Sequence, residues 1–213
     1  MNDLALFDFD GTITSKDTFT AFIHEAVKPS RLLLGKILLS PLIVGYKLGI
    51  VRGSTIRTGV SRFGFFGRSE KEIRAAGASF STKVLPAVVR PEMLERIRWH
   101  KDRGDTVVVV SASLDVYLSD WCKALGIDLI CTELKFSGGR TYGRYKQGDC
   151  SGPRKACQIR TRFDVFEYRE IFAYGDTKDD LEMLEMAQHK FYRGRQVSQA
   201  EIERGLDHHA NQA

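Results

Sequence analysis

The sequence has little of what builds metal centres from sulfur and imidazole. Its 213 residues include only four cysteines and five histidines. Cys122, Cys131, Cys150 and Cys157 show no paired ligand spacing, and the histidines are scattered apart from His208-His209 in the polar tail. Neither a zinc module nor a histidine-built metal site is expected. No secretory leader is expected either, because a strand-like run begins almost at Met1. The expected setting is therefore a reducing cytoplasm with free thiols. Nor is there an uninterrupted apolar run of the roughly twenty residues that a spanning helix needs. The richest block, Arg31–Arg52, is interrupted by Lys36 and Pro41. Internal repeats and low-complexity linkers are absent. What remains is ordinary globular composition, 43% hydrophobic and 28% charged. The length suits one large domain, or one domain carrying an insert, with a core that needs no staples.

Charge is spread unevenly. The formal sum is +5, yet Arg31 to Arg74 alone holds nine Lys or Arg against two Glu, a local +7 that leaves the remainder at −2. A basic segment beside a nearly neutral remainder favours anionic substrates or an anionic membrane surface. Nucleic acid is not expected, since no recognised binding motif accompanies the charge.

Three short apolar runs organise the chain. Leu4–Phe7 leads into Asp8-Phe9-Asp10-Gly11-Thr12, Thr106–Val110 into Ser111-Ala112-Ser113, and Ile171–Tyr174 into Gly175-Asp176. Leu129–Leu134 is a fourth candidate. Runs that are apolar throughout, rather than alternating, suit parallel strands covered on both faces. Helical patterns lie between them at Met93–Arg103, Asp115–Leu125, Arg154–Arg162 and Asp179–Ala187. This alternation predicts an α/β fold, a doubly wound, Rossmann-like parallel sheet. Roughly ninety residues separate the first two strands, far more than a crossover needs. That stretch predicts a helical cap over residues 16–89, inserted into a core formed by residues 1–15 and 90–213. Gly138-Gly139 and Gly143 predict a β-hairpin over Leu134–Tyr145, appended to the sheet. The tail after about Val197 is expected to be loosely held.

Ligands of open α/β sheets bind beyond the carboxyl ends of the strands, so the residues there are the candidates for chemistry. Asp8 and Asp10 stand two apart at a strand end, where both side chains can point to one side. Two buried carboxylates need a cation or a shared proton, and a hard divalent ion such as Mg²⁺ would serve. Gly11 allows a sharp departure from the strand, and Thr12 offers a hydroxyl and an amide to an anion. The plainer alternative is an acidic turn. Ser111 offers a hydroxyl to a phosphate oxygen, or a helix N-cap. Asp176 adds a third acid after a strand, while Asp179 and Asp180 could also serve the first turn of a helix. Lys155 follows Gly152-Pro153 near a helix start, where a cation gains nothing from the macrodipole. Otherwise it is a surface lysine.

Together these residues resemble the haloacid-dehalogenase-like superfamily, and within it the phosphoserine-phosphatase-like branch, subfamily IB. Four motifs match in order: Asp8-Phe9-Asp10-Gly11-Thr12, Ser111, Lys155, and Gly175-Asp176-Thr177-Lys178-Asp179-Asp180. The resemblance covers essentially the whole chain. It implies a Mg²⁺-dependent phosphatase in which Asp8 is the nucleophile that forms an aspartyl-phosphate. Asp10 would protonate the leaving oxygen and then activate water. Mg²⁺ would be held by Asp8, Asp176 and the backbone carbonyl of Asp10. Ser111, Lys155 and the amides near Gly11 would bind phosphoryl oxygens, and Asp180 would orient metal waters or Lys155.

Two departures from that branch bear on the substrate. The cap glutamate of phosphoserine phosphatases falls here on Asp17, which either lines the pocket or caps the first cap helix. The glycine pair that follows the motif serine is replaced by Ala112-Ser113, so Ala112 joins Gly11, Thr12, Asp17 and Ser111 as a candidate substrate contact. Both departures turn away from phosphoserine itself. A small phosphorylated metabolite is the first expectation. The block Arg31–Arg52 reads either as a buried cap helix or as a peripheral contact with an anionic membrane. The second option resembles the bacterial phosphatidylglycerophosphate phosphatases and implies a lipid phosphate. A phospho-accepting signalling domain is a third reading, but it needs neither a large cap nor a second acid at Asp10. Monomer and homodimer both fit.

Overall fold

In the computed structural model, which describes residues 1–204, the chain opens with strand β1 (Leu4–Phe7). An irregular turn over Phe9–Ile13 leads to helices α1 (Thr18–Ala26), α2 (Pro29–Leu38), α3 (Ser40–Lys47) and α4 (Gly53–Phe65). The insert between the first two central strands ends with a two-residue strand, β2 (Arg68–Ser69), and helices α5 (Glu70–Lys83) and α6 (Leu85–Val88). Next come α7 (Pro91–Asp102), β3 (Thr106–Leu114), α8 (Asp115–Leu125) and β4 (Asp128–Thr132). The hairpin β5 (Leu134–Ser137) and β6 (Arg140–Tyr145), α9 (Pro153–Arg162), β7 (Ile171–Gly175) and α10 (Leu181–Glu185) follow. The described chain closes with β8 (His189–Tyr192), β9 (Arg195–Val197) and α11 (Gln199–Glu203).

Six strands form the central sheet in the order β4-β3-β1-β7-β8-β9, parallel except for β9. The unbroken apolar runs have the expected cause. Ala5, Phe7, Val107 and Val109 face one core cluster with α1, α5 and α8, whereas Leu4, Leu6, Val108 and Val110 face the other with α9 and α10. Neither face is left for water, so no polar alternation appears. The doubly wound α/β fold holds.

The hairpin forms with Gly138-Gly139 at its turn, but it is not appended to the central sheet. It pairs instead with β2 in a separate three-stranded sheet, through Arg68 opposite Thr141 and Ser69 opposite Arg140. A short strand inside the insert thus takes the edge that the sequence pattern offers to the core. The two ends of the insert lie together, with Thr14 bridged to Val89 and Arg90 N–H donating to the Ile13 carbonyl.

The apolar block is two helices, not one. Pro41 sits in the first turn of α3, where its missing N–H is harmless, and the chain bends at Leu39. Of the two expectations for this block, burial is not what is found. Helix α3 has no buried residue, and Leu48 and Ile50 are 68% and 77% exposed. Among the described residues no helix is long and apolar enough to cross a membrane. All four cysteines are free, with Cys122, Cys131 and Cys150 buried. The expectation of a loose tail after Val197 falls mostly on residues 205–213, outside the described residues. Before them, Ser198 and Glu201 form a reciprocal cap on α11.

The insert rests on the core where α5 crosses α8, and Gly77 is the point of closest approach. A Cβ there would overlap the Val116 carbonyl oxygen and its carbon. Because that obstacle is backbone, Gly77→Ala should destabilise the fold by about 1–3 kcal/mol through overpacking. The shift in urea midpoint measures this, and an unchanged or raised midpoint would show that α5 can slide.

Candidate active site

Strand β1 ends by delivering Asp8 into the cleft between the strands on either side of it. Its amide donates to the Tyr174 carbonyl at 2.9 Å, continuing the parallel ladder for one more residue. The backbone then leaves the sheet through Gly11, whose φ is 88°. Glycine is needed there on two counts, because a Cβ would also overlap the Asp176 carboxylate. Thr12 Oγ1 donates to Asp176 Oδ1 at 3.2 Å, tying the turn after β1 to the loop after β7.

Lys155 is not a surface lysine. It is 2% exposed, and its ammonium lies 2.5 Å from Asp8 Oδ1 and 2.5 Å from Asp180 Oδ1. The other Asp180 oxygen accepts from the amides of Asp176 and Thr177 and from Thr177 Oγ1, at 3.0–3.1 Å. Asp180 therefore has both oxygens committed. Burial works against its ionisation, but the charge and hydrogen bond of Lys155 outweigh it and hold the carboxyl below its usual range. Asp8 shares the same lysine and ends on the other side. Burial and the neighbouring Asp180 charge push it well above the ordinary carboxylate value. Asp176 is raised for the same two reasons. Asp180 alone has three further donors, and that asymmetry decides which carboxyl holds its charge.

Asp8, Asp176 and Asp180 each present an oxygen within 4.8 Å of the others. Asp10 contributes no carboxylate to this cluster. With Asp180 saturated, Asp8 and Asp176 are the side chains that fit a hard divalent cation, and a cation would relieve the strain on both. The Asp10 side chain turns instead toward α1 and α8. Its Oδ1 accepts from Thr18 N at 2.6 Å and from Thr18 Oγ1 at 2.5 Å, and its Oδ2 accepts from Ser113 Oγ. The Tyr117 hydroxyl lies 3.2 Å from Thr18 Oγ1. Burial raises Asp10 above its ordinary value despite the donors from Ser113 and Thr18.

Thr18, Ser113 and Tyr117 were not singled out in the sequence. Ser113 left a trace, since it stands where the family branch has a glycine. Tyr117 reads as an ordinary core residue of an amphipathic helix. Ser111 is fully buried, with its hydroxyl accepting from the Ser113 amide at 3.0 Å, whereas Ala112 and Ser113 line the cavity. Asp17 meets both of its readings. It caps α1 by accepting from the amide and hydroxyl of Thr20, and it also lies on the cavity wall.

The cavity holds about 1090 Å³. Its polar end carries Asp8, Asp10, Lys155 and Asp176, while Leu32, Leu39, Ile43, Ile56, Val60 and Phe63 of the insert line the rest. Arg57 of α4 closes one side with a bidentate pair to Asp149 at 2.8 Å and a second contact to Asp179 at 3.5 Å.

A family model, the haloacid dehalogenase-like hydrolases, matches residues 5–185. The chain belongs to that family. Among characterised sequences, this haloacid dehalogenase-like hydrolase is 33% identical to protein CicA of Caulobacter vibrioides over 192 residues, covering 89% of this chain and 85% of CicA, whose name specifies no chemistry. Among solved structures, a Bordetella pertussis protein of unknown function superposes with a TM-score of 0.73 at 19% identity, covering 89% of each chain. A substrate-bound phosphoserine phosphatase superposes at 0.63 with 18% identity, over 90% of this chain and 86% of that one. The hydrolase thus has the fold of the phosphoserine phosphatases.

Lys155→Met tests the buried pair. Removing one partner of such a pair costs about 3–5 kcal/mol. Asp8 and Asp180 would then both hold protons more tightly in the folded chain than in the unfolded one, where carboxyls titrate near about 3.9. The stability difference from wild type should therefore be smallest in acid and widen as pH rises through that value. Urea unfolding at several pH values measures it. A loss that is the same at every pH would mean that the ammonium acts only as packing.

Proposed function

We propose that this hydrolase is a Mg²⁺-dependent phosphatase that cleaves a phosphomonoester through an aspartyl-phosphate on Asp8. The observation that carries the reading is the buried ammonium of Lys155, which holds Asp8 beside Asp176 at the head of a cavity. In the first step an Asp8 oxygen attacks phosphorus, and the ester oxygen departs with a proton from Asp10. Asp10 suits that task because burial keeps it above the ordinary carboxylate range. In the second step Asp10 takes a proton from water, which attacks the same phosphorus and releases inorganic phosphate, regenerating Asp8. Asp8, Asp176 and the Asp10 backbone carbonyl would hold Mg²⁺, whose charge offsets that of an anionic nucleophile meeting an anionic phosphate. Lys155, Gly11, Thr12, Ser111 and Ala112 are assigned to the phosphoryl oxygens, directly or by shaping the loops that reach them. Residues 16–89 act as the cap over a core of residues 1–15 and 90–213, and the setting is the cytoplasm.

For the substrate, a small phosphorylated metabolite agrees with the superfamily branch. The long apolar wall of the cavity favours a second reading, a phosphate ester with an apolar tail such as a lipid phosphate, reached from an anionic membrane through residues 31–52. Phosphoserine would leave most of that wall unused. A panel of phosphometabolites and dispersed phospholipids separates the two, and faster turnover of every soluble metabolite than of any lipid would reject the tailed substrate.

The chemistry predicts distinct losses at the two acids. Asp8→Asn should reduce hydrolysis of p-nitrophenyl phosphate to background. Asp10→Asn should lower kcat by about 10²–10⁴-fold, the usual size of a general acid–base contribution. Chelation should abolish turnover and added Mg²⁺ restore it. Full activity in Asp8→Asn would remove the covalent route.

A further inference from the structure

Of the thirteen large hydrophobic side chains that face solvent among the described residues, eight fall between Leu33 and Ile50. On α2 the outward set is Leu33, Leu34, Ile37 and Leu38, whose spacing places them on one face. The opposite side of the same helix lines the cavity with Leu32, Gly35 and Lys36, joined by Leu39 at its C-terminal cap. Apart from Lys36, α2 is therefore apolar toward the cavity as well as toward water. The surrounding charge has one sign. From Ala26 to Ser69 the sequence holds eight Lys or Arg and no Asp or Glu.

Beside this face lies a cleft of about 630 Å³ among α3, α4 and the start of α9. Arg52, Arg62 and Arg154 line it together with the hydroxyls of Ser54 and Thr58. Its one carboxylate, Asp149, is occupied by Arg57. The cleft thus presents guanidinium groups with no free acid to answer them.

We propose that the outer face of α2 and α3 docks on a bilayer bearing anionic headgroups, with both helices lying in the interface plane and the arginine cleft taking a headgroup phosphate. Apolar residues flanked by uncompensated cations are what such a surface binds, by burial and by attraction together. A symmetric second copy fits poorly, since it would set one acid-free basic face against another. The inference rests on the phosphatase reading in one respect: docking would hold the apolar wall of the cavity against the surface that supplies a tailed phosphate ester.

Co-sedimentation of the full chain with vesicles, in the absence of turnover, tests the docking. Binding is expected to phosphatidylcholine vesicles that contain phosphatidylglycerol, more weakly to phosphatidylcholine alone, and less as salt rises. The triple variant Leu33→Gln, Leu48→Gln, Ile50→Gln should bind at least roughly tenfold more weakly. Arg52→Gln with Arg62→Gln should erase most of the preference for phosphatidylglycerol, at roughly fivefold per arginine. None of these five side chains lines the cavity at Asp8, so hydrolysis of p-nitrophenyl phosphate reports that each variant is folded. Wild-type chain that stays in the supernatant with both vesicles overturns the proposal, as does a dimer that the triple variant dissolves. Vesicle binding without hydrolysis would uphold the docking face and reject the phosphatase, and hydrolysis without vesicle binding would do the reverse.

Discussion

A lysine ammonium held out of water between two carboxylates is the interaction on which the rest depends. Lys155 belongs to α9, Asp8 to the end of β1 and Asp180 to the turn after β7, so one charge ties together three parts of the chain far apart in sequence. An isolated ammonium in that position would be intolerable, and so would either carboxylate without it. The group persists because each needs the others. The Gly152 amide donating to the Asp179 carbonyl fastens the start of α9, which carries Lys155, to the turn that carries Asp180. The parallel sheet supplies the remaining precision, since Asp8 simply prolongs a ladder whose register is already fixed by Leu4–Phe7.

Around that anchor the two neighbouring acids diverge. Asp176 faces Asp8 and shares its electrostatic difficulty, whereas Asp10 is enclosed by hydroxyls from Thr18 and Ser113. The two carboxyls thus have different partners, and the proposed chemistry, which needs both a cation ligand and a proton carrier, would draw on that difference. The same division extends along the cavity, polar where strands end and apolar where the insert begins.

Much of this was legible in the sequence, for identifiable reasons. Leu4–Phe7 and Val107–Val110 announce a doubly covered strand because both faces demand apolar residues. Asp8, Asp10, Asp176 and Asp180 stand out because carboxylates directly after such runs are costly without a purpose, and Lys155 stood out by an unfavourable position. Thr18 and Tyr117 were not legible, since a hydroxyl acquires its meaning only from what the fold sets beside it. The pairing of β2 with β6 was hidden too, because two residues make no periodicity. Exposure of α2 and α3 stood beside burial as an open alternative, for a different reason. Hydropathy reports what a segment would prefer to bury and says nothing of whether the rest of the chain can cover it.

Thr18 begins α1, the first helix of the insert, and it makes two of the three hydrogen bonds to Asp10. Lifting that helix away would strip the acid of those donors and admit water to it. On the proposed chemistry, a site opened for entry or exit would thereby also be detuned, and Asp10 would regain its setting only on closure. With Asp10 as the proposed proton carrier, one threonine would couple the chemistry to closure of the site.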